Sequence, residues 1–326
     1  MVYVSRTYYI FSSGQLRRKD NTLALELDEE RRMIPIEDVD HIYCFAPLDF
    51  NSRLLEFLSQ KQVCLHLFGY YGQYSGSFVP REAQLSGFLV VKQVEHYLDE
   101  DKRLELAQIF VQGAIHNIRR NLEKREEYQG TCNRLDNLRK TLKDATTIEE
   151  VMSVEAHARK AYYTEWSDIT GWEFDKRSKR PPLNALNALI SFGNAMTYSS
   201  VLKEIHRTAL NPTISYLHEP SERRYSLALD IAEIFKPVFV DRLIFRLINL
   251  NKLKQQHFDV NVNYTYLTEP GRKIFVSEFE EQMEKTILHR NLKRNVRYKN
   301  LIRLDLYKLI KHILGETTYN PMKVWW

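Results

Sequence analysis

Residues 227–240 read Leu-Ala-Leu-Asp-Ile-Ala-Glu-Ile-Phe-Lys-Pro-Val-Phe-Val, a stretch that is apolar on almost every side of a helix. Only Asp230 and Glu233 interrupt its first two turns. A helix that is apolar all round packs inside a larger structure, so this stretch indicates the interior of a helical domain. Upstream of it, apolar residues recur with a period near 3.6 over residues 104–122, 148–166 and 183–206, which predicts further helices.

The first 90 residues follow a different pattern. They contain five of the eleven glycines, and short runs of β-forming residues at 8–11, 42–45 and 63–68 are separated by turn residues. This alternation is typical of strands. We therefore predict an α+β protein, in which a small N-terminal β-sheet domain (residues 1–87) is followed by a larger all-α domain (residues 88–326).

Composition excludes several classes of protein. No stretch approaches the roughly 18 uninterrupted apolar residues that span a bilayer, and no secretory signal is visible, so no membrane association is expected. The three cysteines, Cys44, Cys64 and Cys132, are odd in number and form no CxxC pair, which argues against a disulfide scaffold or a cysteine zinc site. We expect a reducing, cytoplasmic location.

Positive charge is concentrated near the C-terminus. The chain carries a net charge of +5, whereas residues 285–326 hold ten basic and two acidic side chains. The cations Arg290, Lys293, Arg294 and Arg297 alternate with leucine and isoleucine at helical spacing, which predicts a basic face on amphipathic helices. Such a face suits DNA phosphates, and an ordinary solvated helix surface is the alternative.

A carboxylate falls on the apolar side of the helix that begins near Thr147. Glu155 shares its stripe with Val151 and Tyr162. A buried carboxylate is costly unless it is paired or binds a metal. Its partner is therefore Arg159 one turn on, a cation from another helix, or a metal ion, and this helix alone favours a plain salt bridge.

Asp230 and Glu233 lie three residues apart on the apolar helix and share one narrow face. At about 4 Å and an effective dielectric near 20, two such charges repel by about 4 kcal/mol. A divalent cation would remove this repulsion. Alternatively, Asp230 caps neighbouring backbone or pairs with Arg223 or Arg224, and Glu233 reaches solvent.

Two further features complete the candidate set. His218 precedes Pro220 on or beside a turn, just before the acid-bearing helix. A single histidine is more often structural, but one imidazole with two carboxylates suits Mg²⁺ or Mn²⁺. The helix of residues 183–198 carries an uncharged polar stripe that includes Asn187, which either joins helices or lines a cleft and contacts DNA.

The order of several short motifs resembles that of the CRISPR spacer-acquisition integrase, the first universal CRISPR-associated protein. The matching stretches cover nearly the whole chain: residues 8–14 (Tyr-Tyr-Ile-Phe-Ser-Ser-Gly), 18–23 (Arg-Lys-Asp-Asn-Thr-Leu), 34–39 (Ile-Pro-Ile-Glu-Asp-Val), 72–78 (Gly-Gln-Tyr-Ser-Gly-Ser-Phe), 187–193 (Asn-Ala-Leu-Ile-Ser-Phe-Gly), 217–220 (Leu-His-Glu-Pro) and 226–233 (Ser-Leu-Ala-Leu-Asp-Ile-Ala-Glu).

The resemblance implies a metal-dependent DNA endonuclease and integrase that inserts short foreign DNA segments into a CRISPR repeat array in antiviral defence. It implies Glu155, His218 and Glu233 as catalytic residues and as ligands of Mg²⁺ or Mn²⁺, with Asp230 supporting them or coordinating directly. The implied partners are double-stranded prespacer DNA, the repeat array, a second copy joined through the β domain, and the small ferredoxin-like second adaptation protein. Ala114 and Lys236 depart from the family pattern, where lysine and arginine are expected.

From the residues alone, DNA contacts are expected at Arg223, Arg224, Asn187 and the C-terminal cations, and Arg159, Tyr162 or Tyr163 could orient a phosphate. Two other functions stay open at this point. The chain could be a non-enzymatic DNA-binding scaffold with ordinary salt bridges. A phosphohydrolase of small substrates is disfavoured, because the sequence has no glycine-rich phosphate cradle.

Overall fold

The computed structural model describes residues 6–27, 30–69, 71–80, 86–220, 225–261 and 264–325. The chain divides into two compact units, Met1–Ala83 and Gln84–Trp326, four residues before the predicted boundary. The first unit is built mainly of strands and the second mainly of helices, so the predicted α+β class is confirmed. All three cysteines are free and buried. Within the described ranges, no helix is long and apolar enough to cross a membrane.

Over its described residues, the N-terminal unit contains two four-stranded sheets and one α-helix. One sheet has the order β1–β5–β7–β8, in which β1, β5 and β7 are parallel and β8 is antiparallel; the other has the order β4–β3–β2–β6. The bounds are β1 (Arg6–Ile10), β2 (Gly14–Lys19), β3 (Thr22–Glu26), β4 (Arg31–Pro35), β5 (Val39–Cys44), β6 (Leu48–Asp49), α1 (Ser52–Gln60), β7 (Cys64–Phe68) and β8 (Tyr74–Phe78).

Buried apolar side chains from these strands and from α1 form one hydrophobic core. Leu16, Leu23 and Ile42 from the two sheets and Leu54 and Phe57 from α1 are buried in the same cluster. Alternate side chains of a strand point to opposite faces, so each sheet contributes its apolar face. Helix α1 begins where the side chain of Asn51 accepts a hydrogen bond from the Leu54 amide.

The C-terminal unit is a helical body with two small hairpins. Its elements are α2 (Gly87–Leu98), α3 (Glu100–Arg119), α4 (Gln129–Thr141), α5 (Ile148–Tyr163), α6 (Trp166–Thr170), α7 (Ala185–Ile205), α8 (Ser226–Lys236), α9 (Arg242–Asn249), β9 (Phe258–Asn261), β10 (Tyr264–Leu267), α10 (Glu269–Glu284), β11 (Thr286–His289), β12 (Arg294–Arg297) and α11 (Tyr298–Ile313). The prediction that this domain is all-α is therefore incomplete, because the domain also contains the antiparallel pairs β9–β10 and β11–β12.

Helix α8 lies at the centre of this unit, as its all-round apolar sequence predicts. Leu227, Ile231 and Phe235 are fully buried. The helix ends at Pro237, which has no N–H to donate to the carbonyl four residues earlier. A π-helical turn, Pro237–Asp241, then leads directly into α9. The apolar stretch of residues 227–240 is thus formed by α8 and by most of the π turn that joins it to α9.

Candidate active site

Helix α5 presents Glu155 beside a buried apolar stripe. The helix begins after Thr147, whose hydroxyl accepts a hydrogen bond from the Glu150 amide at 3.2 Å, in the register that the capping pattern predicts. Val151 and Tyr162, on the same stripe, are fully buried, whereas the Glu155 side chain is 26% exposed. The carboxylate therefore stands at the margin of the core, where solvent and ions reach it.

Arg159 joins Glu155 to the acid of α8. Its Nε donates to Glu155 Oε1 at 3.2 Å, and its Nη2 donates to Glu233 Oε2 at 2.8 Å. Lys236 donates to the other oxygen of the Glu233 carboxylate. The salt bridge that the α5 sequence favours is therefore present, and it extends to a second helix.

The electrostatics show that the two acids influence each other. Burial raises the pKa of Glu155, and the charge of Glu233 raises it further against the opposing charges of Arg159 and Lys236. Burial also acts to raise the pKa of Glu233, but the charges of Lys236 and Arg159 outweigh it and lower that pKa. Two carboxylates thus share two cations, and Glu155 is the less well compensated acid.

Asp230 is fully buried and organises the turn that carries His218. Its Oδ2 accepts hydrogen bonds from the amides of Tyr216 at 2.7 Å and Leu217 at 3.1 Å, and its Oδ1 accepts from the amide of His218 at 3.0 Å. Oδ1 also contacts His218 Nδ1 at 2.8 Å. A carboxylate offers about four acceptor positions, so this one is fully used. Asp230 caps neighbouring backbone, as the alternative interpretation of the sequence holds.

The contact with Asp230 fixes the orientation of the His218 ring. Because Asp230 acts as an acceptor toward three amides, Nδ1 donates to it, and Nε2 of the neutral ring keeps its lone pair. Burial disfavours the charged ring, but the hydrogen bond and the charge of Asp230 outweigh it, so the pKa of His218 is raised. The side chain is 28% exposed. The charge of Glu233 also acts to raise the pKa of His218.

Glu155, His218 and Glu233 supply two carboxylates and one imidazole, an O,O,N donor set whose carboxylates suit Mg²⁺ or Mn²⁺. In the described ranges no three His, Cys, Asp or Glu side chains stand close enough to hold a metal ion as they are. Both carboxylates are turned toward Arg159 instead. The donor set fits such an ion in chemical type, and binding one requires the three side chains to come closer together.

The tyrosines of α5 are less available to a phosphate. Tyr162 is fully buried, and its hydroxyl accepts a hydrogen bond from Asn121 at 3.0 Å. Burial raises the pKa of Tyr163 to about 12. Its ring lies against Trp166 and Phe174, with centroids 5.3 Å away in each case. These contacts give both rings a packing role.

The structure corrects the prediction that Asn187 contacts DNA. It is 1% exposed, its Nδ2 donates to the Lys176 carbonyl at 2.9 Å, and its Oδ1 accepts from the Ser178 amide at 2.9 Å and from Arg177 at 3.0 Å. Because every polar atom of this amide is used inside the protein, it cannot contact DNA in this structure. Its role is to hold the loop that precedes α7.

That loop is a basic segment missed in the sequence analysis. Residues 176–180 read Lys-Arg-Ser-Lys-Arg. The Arg177 side chain folds inward and donates to Ser191 Oγ at 2.9 Å, and it lies close enough to Arg159 for their charges to interact. Lys176, Lys179 and Arg180 are exposed, and none forms an ion pair within the described part of the chain. The presence of four cations within five residues is the sequence signal that could have identified this segment.

The C-terminal cations lie on a hairpin and not on the predicted helix. Arg290 and Lys293 are in the turn between β11 and β12, and Arg294 and Arg297 are on β12. The first three are exposed, whereas Arg297 lies 3.4 Å from Glu284. The helical spacing predicted the wrong secondary structure, because β11 pairs with β12 over four residues of each strand. Arg223 and Arg224 lie outside the described residues.

Comparison with known proteins assigns the chain to a family. A family model described as "CRISPR associated protein Cas1" matches residues 8–281. The chain belongs to the Cas1 family.

Relatives and solved structures agree with this assignment. CRISPR-associated endonuclease Cas1 2 of Moorella thermoacetica is 76% identical over 98% of this chain and 100% of its own length. CRISPR-associated endonuclease Cas1 of Fusobacterium nucleatum is 46% identical over 100% of this chain and 98% of its own length. The structure of a CAS1 protein from Thermotoga maritima superposes with a TM-score of 0.89 at 40% identity, covering 97% of this chain and 100% of that one.

More distant structures share the fold. A casposase bound to integration product has a TM-score of 0.84 at 18% identity and covers 98% of this chain and 94% of its own. A Cas6-RT-Cas1--Cas2 complex has a TM-score of 0.85 at 19% identity and covers 99% of this chain and 36% of that one. At these identities the likeness concerns the fold.

Proposed function

We propose that this Cas1-family chain is a divalent-metal-dependent DNA endonuclease and integrase that inserts short foreign DNA segments into a CRISPR repeat array. One observation carries the proposal. Arg159 bridges Glu155 of α5 and Glu233 of α8, and the charge of Glu233 acts on both Glu155 and His218. Coupled, partly desolvated acids beside a histidine mark a functional site more often than a surface salt bridge does.

In this proposal the oxygens of Glu155 and Glu233 and Nε2 of His218 hold Mg²⁺ or Mn²⁺. When bound, such an ion polarises the scissile phosphate and stabilises charge on its oxygens. Asp230 keeps the His218 ring in the tautomer whose Nε2 can bind a metal. Arg159 and Lys236 compensate the acids before the ion enters and provide positive charge near the reacting phosphate. The nucleophile is a DNA 3′-hydroxyl in integration and water in cleavage.

Two exposed basic surfaces support DNA as the substrate. The first is the 176–180 loop, which Arg177 and Asn187 hold against α7. The second is the tip of the β11–β12 hairpin, with Arg290, Lys293 and Arg294. Cations without carboxylate partners are available to DNA phosphates. We assign the prespacer and the repeat array to these surfaces.

The proposal also includes protein partners. The complex of Cas1 with Cas2 suggests that this chain also works with the small second adaptation protein, and we propose a homodimer joined through the N-terminal β-sheet unit. Action on a cellular repeat array places the protein in the cytoplasm.

A non-enzymatic DNA-binding scaffold is the second candidate function, and the ion pairs of Arg159 with Glu155 and Glu233 favour it. A nicking assay separates the two. The purified chain is incubated with a double-stranded prespacer and a supercoiled repeat plasmid in Mn²⁺, in Mg²⁺ and in chelator. We expect metal-dependent nicking and joining that Glu155→Gln, His218→Asn and Glu233→Gln each nearly abolish. Metal-independent nicking, or a variant with near wild-type activity, would refute the proposed ligand set.

A further inference from the structure

The C-terminal segment of the chain is buried in the helical unit and is linked through Asn117 to Ile234 of α8, one residue from Glu233. Tyr319, Met322 and Val324 are buried. The Tyr319 hydroxyl donates a hydrogen bond to Asp305 Oδ2 at 2.7 Å. The Tyr319 ring packs edge to face on the ring of Phe110 in α3, with 5.6 Å between the ring centroids. The segment is therefore an integral part of the helical core.

One side chain connects this segment to α8. Asn117 of α3 is fully buried, and its Nδ2 donates to the Ile234 carbonyl at 2.9 Å and to the Met322 carbonyl at 3.0 Å. Its Oδ1 accepts from the Val324 amide at 2.9 Å. A single amide thus joins α3, the C-terminal segment and the residue that follows Glu233.

The backbone of α8 needs such support at this point. Pro237 has no N–H, so the Glu233 carbonyl lacks its usual partner four residues on, and the π turn disturbs the ladder that follows. Side chains of other elements bind the carbonyls here: Arg159 contacts that of Glu233 at 3.4 Å, and Asn121 donates to that of Pro237 at 2.9 Å. The last turn of α8 is held from outside by side chains.

Close packing leaves the C-terminal segment little freedom. A Cβ added at Gly113, one turn before Asn117, would lie 2.9 Å from Cγ of Pro321 and 3.7 Å from Ile234. The first distance is shorter than real Cβ contacts, so glycine at 113 lets Pro321 approach α3 this closely.

We propose that Asn117 is a positioning residue for Glu233 and that the C-terminal segment Tyr319–Val324 is the strap that holds Asn117 in place. Fixing the Ile234 carbonyl sets the rotation of the last turn of α8. That rotation determines where the Glu233 carboxylate stands relative to Glu155 on α5. The inference rests on the proposed function for its catalytic meaning, and its structural content can be tested without metal.

The test compares Asn117→Ala with Gln282→Ala in the full-length chain. Gln282 is a matched control because its buried amide also donates to backbone carbonyls, those of Val238 at 3.1 Å and Phe239 at 3.2 Å, but beyond Pro237. Both variants lose the same kind of hydrogen bond. A merely structural role would affect them alike, whereas a positioning role affects only Asn117→Ala.

Three measurements are made on each variant: Mn²⁺ affinity by calorimetry without DNA, duplex DNA affinity, and hydrogen exchange of α8 amides without metal. For Asn117→Ala we expect an Mn²⁺ affinity at least about tenfold weaker, because supports of metal ligands have effects of this size. We also expect faster exchange in the last turn of α8 and a DNA affinity within about twofold of wild type, since phosphate contacts dominate that affinity. Gln282→Ala keeps the Mn²⁺ affinity.

The inference would be overturned if the α8 amides of Asn117→Ala exchanged hydrogen at the wild-type rate. It would also be overturned if Gln282→Ala lost as much Mn²⁺ affinity as Asn117→Ala. If wild type binds no Mn²⁺, the proposed function fails, and the exchange comparison alone decides whether the strap positions α8. Gly113→Ala, which displaces Pro321 and leaves Asn117 intact, serves as the second variant if Asn117→Ala does not fold. It is expected to change α8 exchange in the same direction.

Discussion

Arg159 and Glu233 lie on different helices, and their side chains meet at 2.8 Å with both almost excluded from solvent. The guanidinium also binds Glu155, so the cluster has a cation of its own before any metal enters. Removing one partner of a buried pair leaves an uncompensated charge. Arg159 thus limits the repulsion between the carboxylates of Glu155 and Glu233 when no metal ion is bound.

Metal binding should therefore stabilise the wild-type fold. At an Mn²⁺ concentration about 100 times Kd, a single site contributes about 2.7 kcal/mol, which corresponds to a rise in Tm of roughly 5–10 °C for a unit of this size. We expect Glu155→Gln and Glu233→Gln to lose this rise. Differential scanning fluorimetry with and without Mn²⁺ measures it, and Ca²⁺-free chelator buffer is the reference. An equal rise in both variants would show that Mn²⁺ binds elsewhere.

Asp230→Asn should weaken both the fold and the site. An asparagine cannot accept from three amides and one ring nitrogen, since its NH₂ group would face donors. Loss of such charge-assisted bonds costs about 1.5–3 kcal/mol, and loss of a residue that orients a ligand costs about 10–100-fold in metal affinity. Denaturant unfolding and Mn²⁺ calorimetry test this. Activity that falls while Mn²⁺ affinity stays at the wild-type level would contradict the orienting role.

The positions of the two acids on largely buried helix faces could be predicted from the sequence because their signal is local. A carboxylate on an apolar stripe stands out from the periodicity alone, as Glu155 and Glu233 do. The turn before α8 places His218 near this helix because the two segments are close together in the sequence. The shared guanidinium was not predictable, since only tertiary packing brings α5 against α8.

The wrong prediction for residues 285–297 has a physical cause. Cations alternating with leucine and isoleucine satisfy both a helical and a strand period when the stretch is short. The turn decides between them: Lys293 adopts a left-handed conformation with φ of 50°, which ends a helix and suits a hairpin. The C-terminal strap was equally hidden, because its contacts with Asn117 span about 200 residues.

Asp241 should make stability depend on pH. It is buried, and burial raises its pKa to about 7 despite the charge of Arg159. An acid whose folded pKa is raised favours the folded state below its unfolded value near 4, and this contribution is lost as pH rises through about 7. The loss is at most about 4 kcal/mol. The Tm of Asp241→Asn relative to wild type should therefore increase between pH 5 and pH 8. A difference that stays constant across this range would exclude titration of Asp241.

The 176–180 loop should contribute to DNA affinity through phosphates. Each phosphate contact adds about −0.9 to the slope of log affinity against log salt on duplex DNA. Lys176→Gln with Lys179→Gln should flatten that slope by nearly two units and weaken binding equally on unrelated sequences. Lys140→Gln with Lys143→Gln, two exposed cations on and after α4, is the matched control. Equal slopes for the two double variants would remove the loop from the DNA path.

The hairpin β11–β12 permits the same test with a control inside the hairpin region. Lys293 and Arg294 are exposed, whereas Arg297 and Lys299 both pair with Glu284. A cation already neutralised by a carboxylate releases fewer counterions on binding DNA. We therefore expect Lys293→Gln with Arg294→Gln to flatten the salt slope by nearly two units, while Arg297→Gln with Lys299→Gln changes it little.

Fluorescence anisotropy on a labelled duplex over a range of salt concentrations gives both slopes. Nicking by the Lys293→Gln/Arg294→Gln variant at saturating DNA should match wild type, because the proposed function gives the hairpin cations a role in DNA binding and gives the chemistry to Glu155, His218 and Glu233. A wild-type slope in this variant would show that the hairpin tip is only a solvated surface. The DNA would then have to follow the 176–180 loop alone, and the double variant of that loop would have to carry most of the salt dependence.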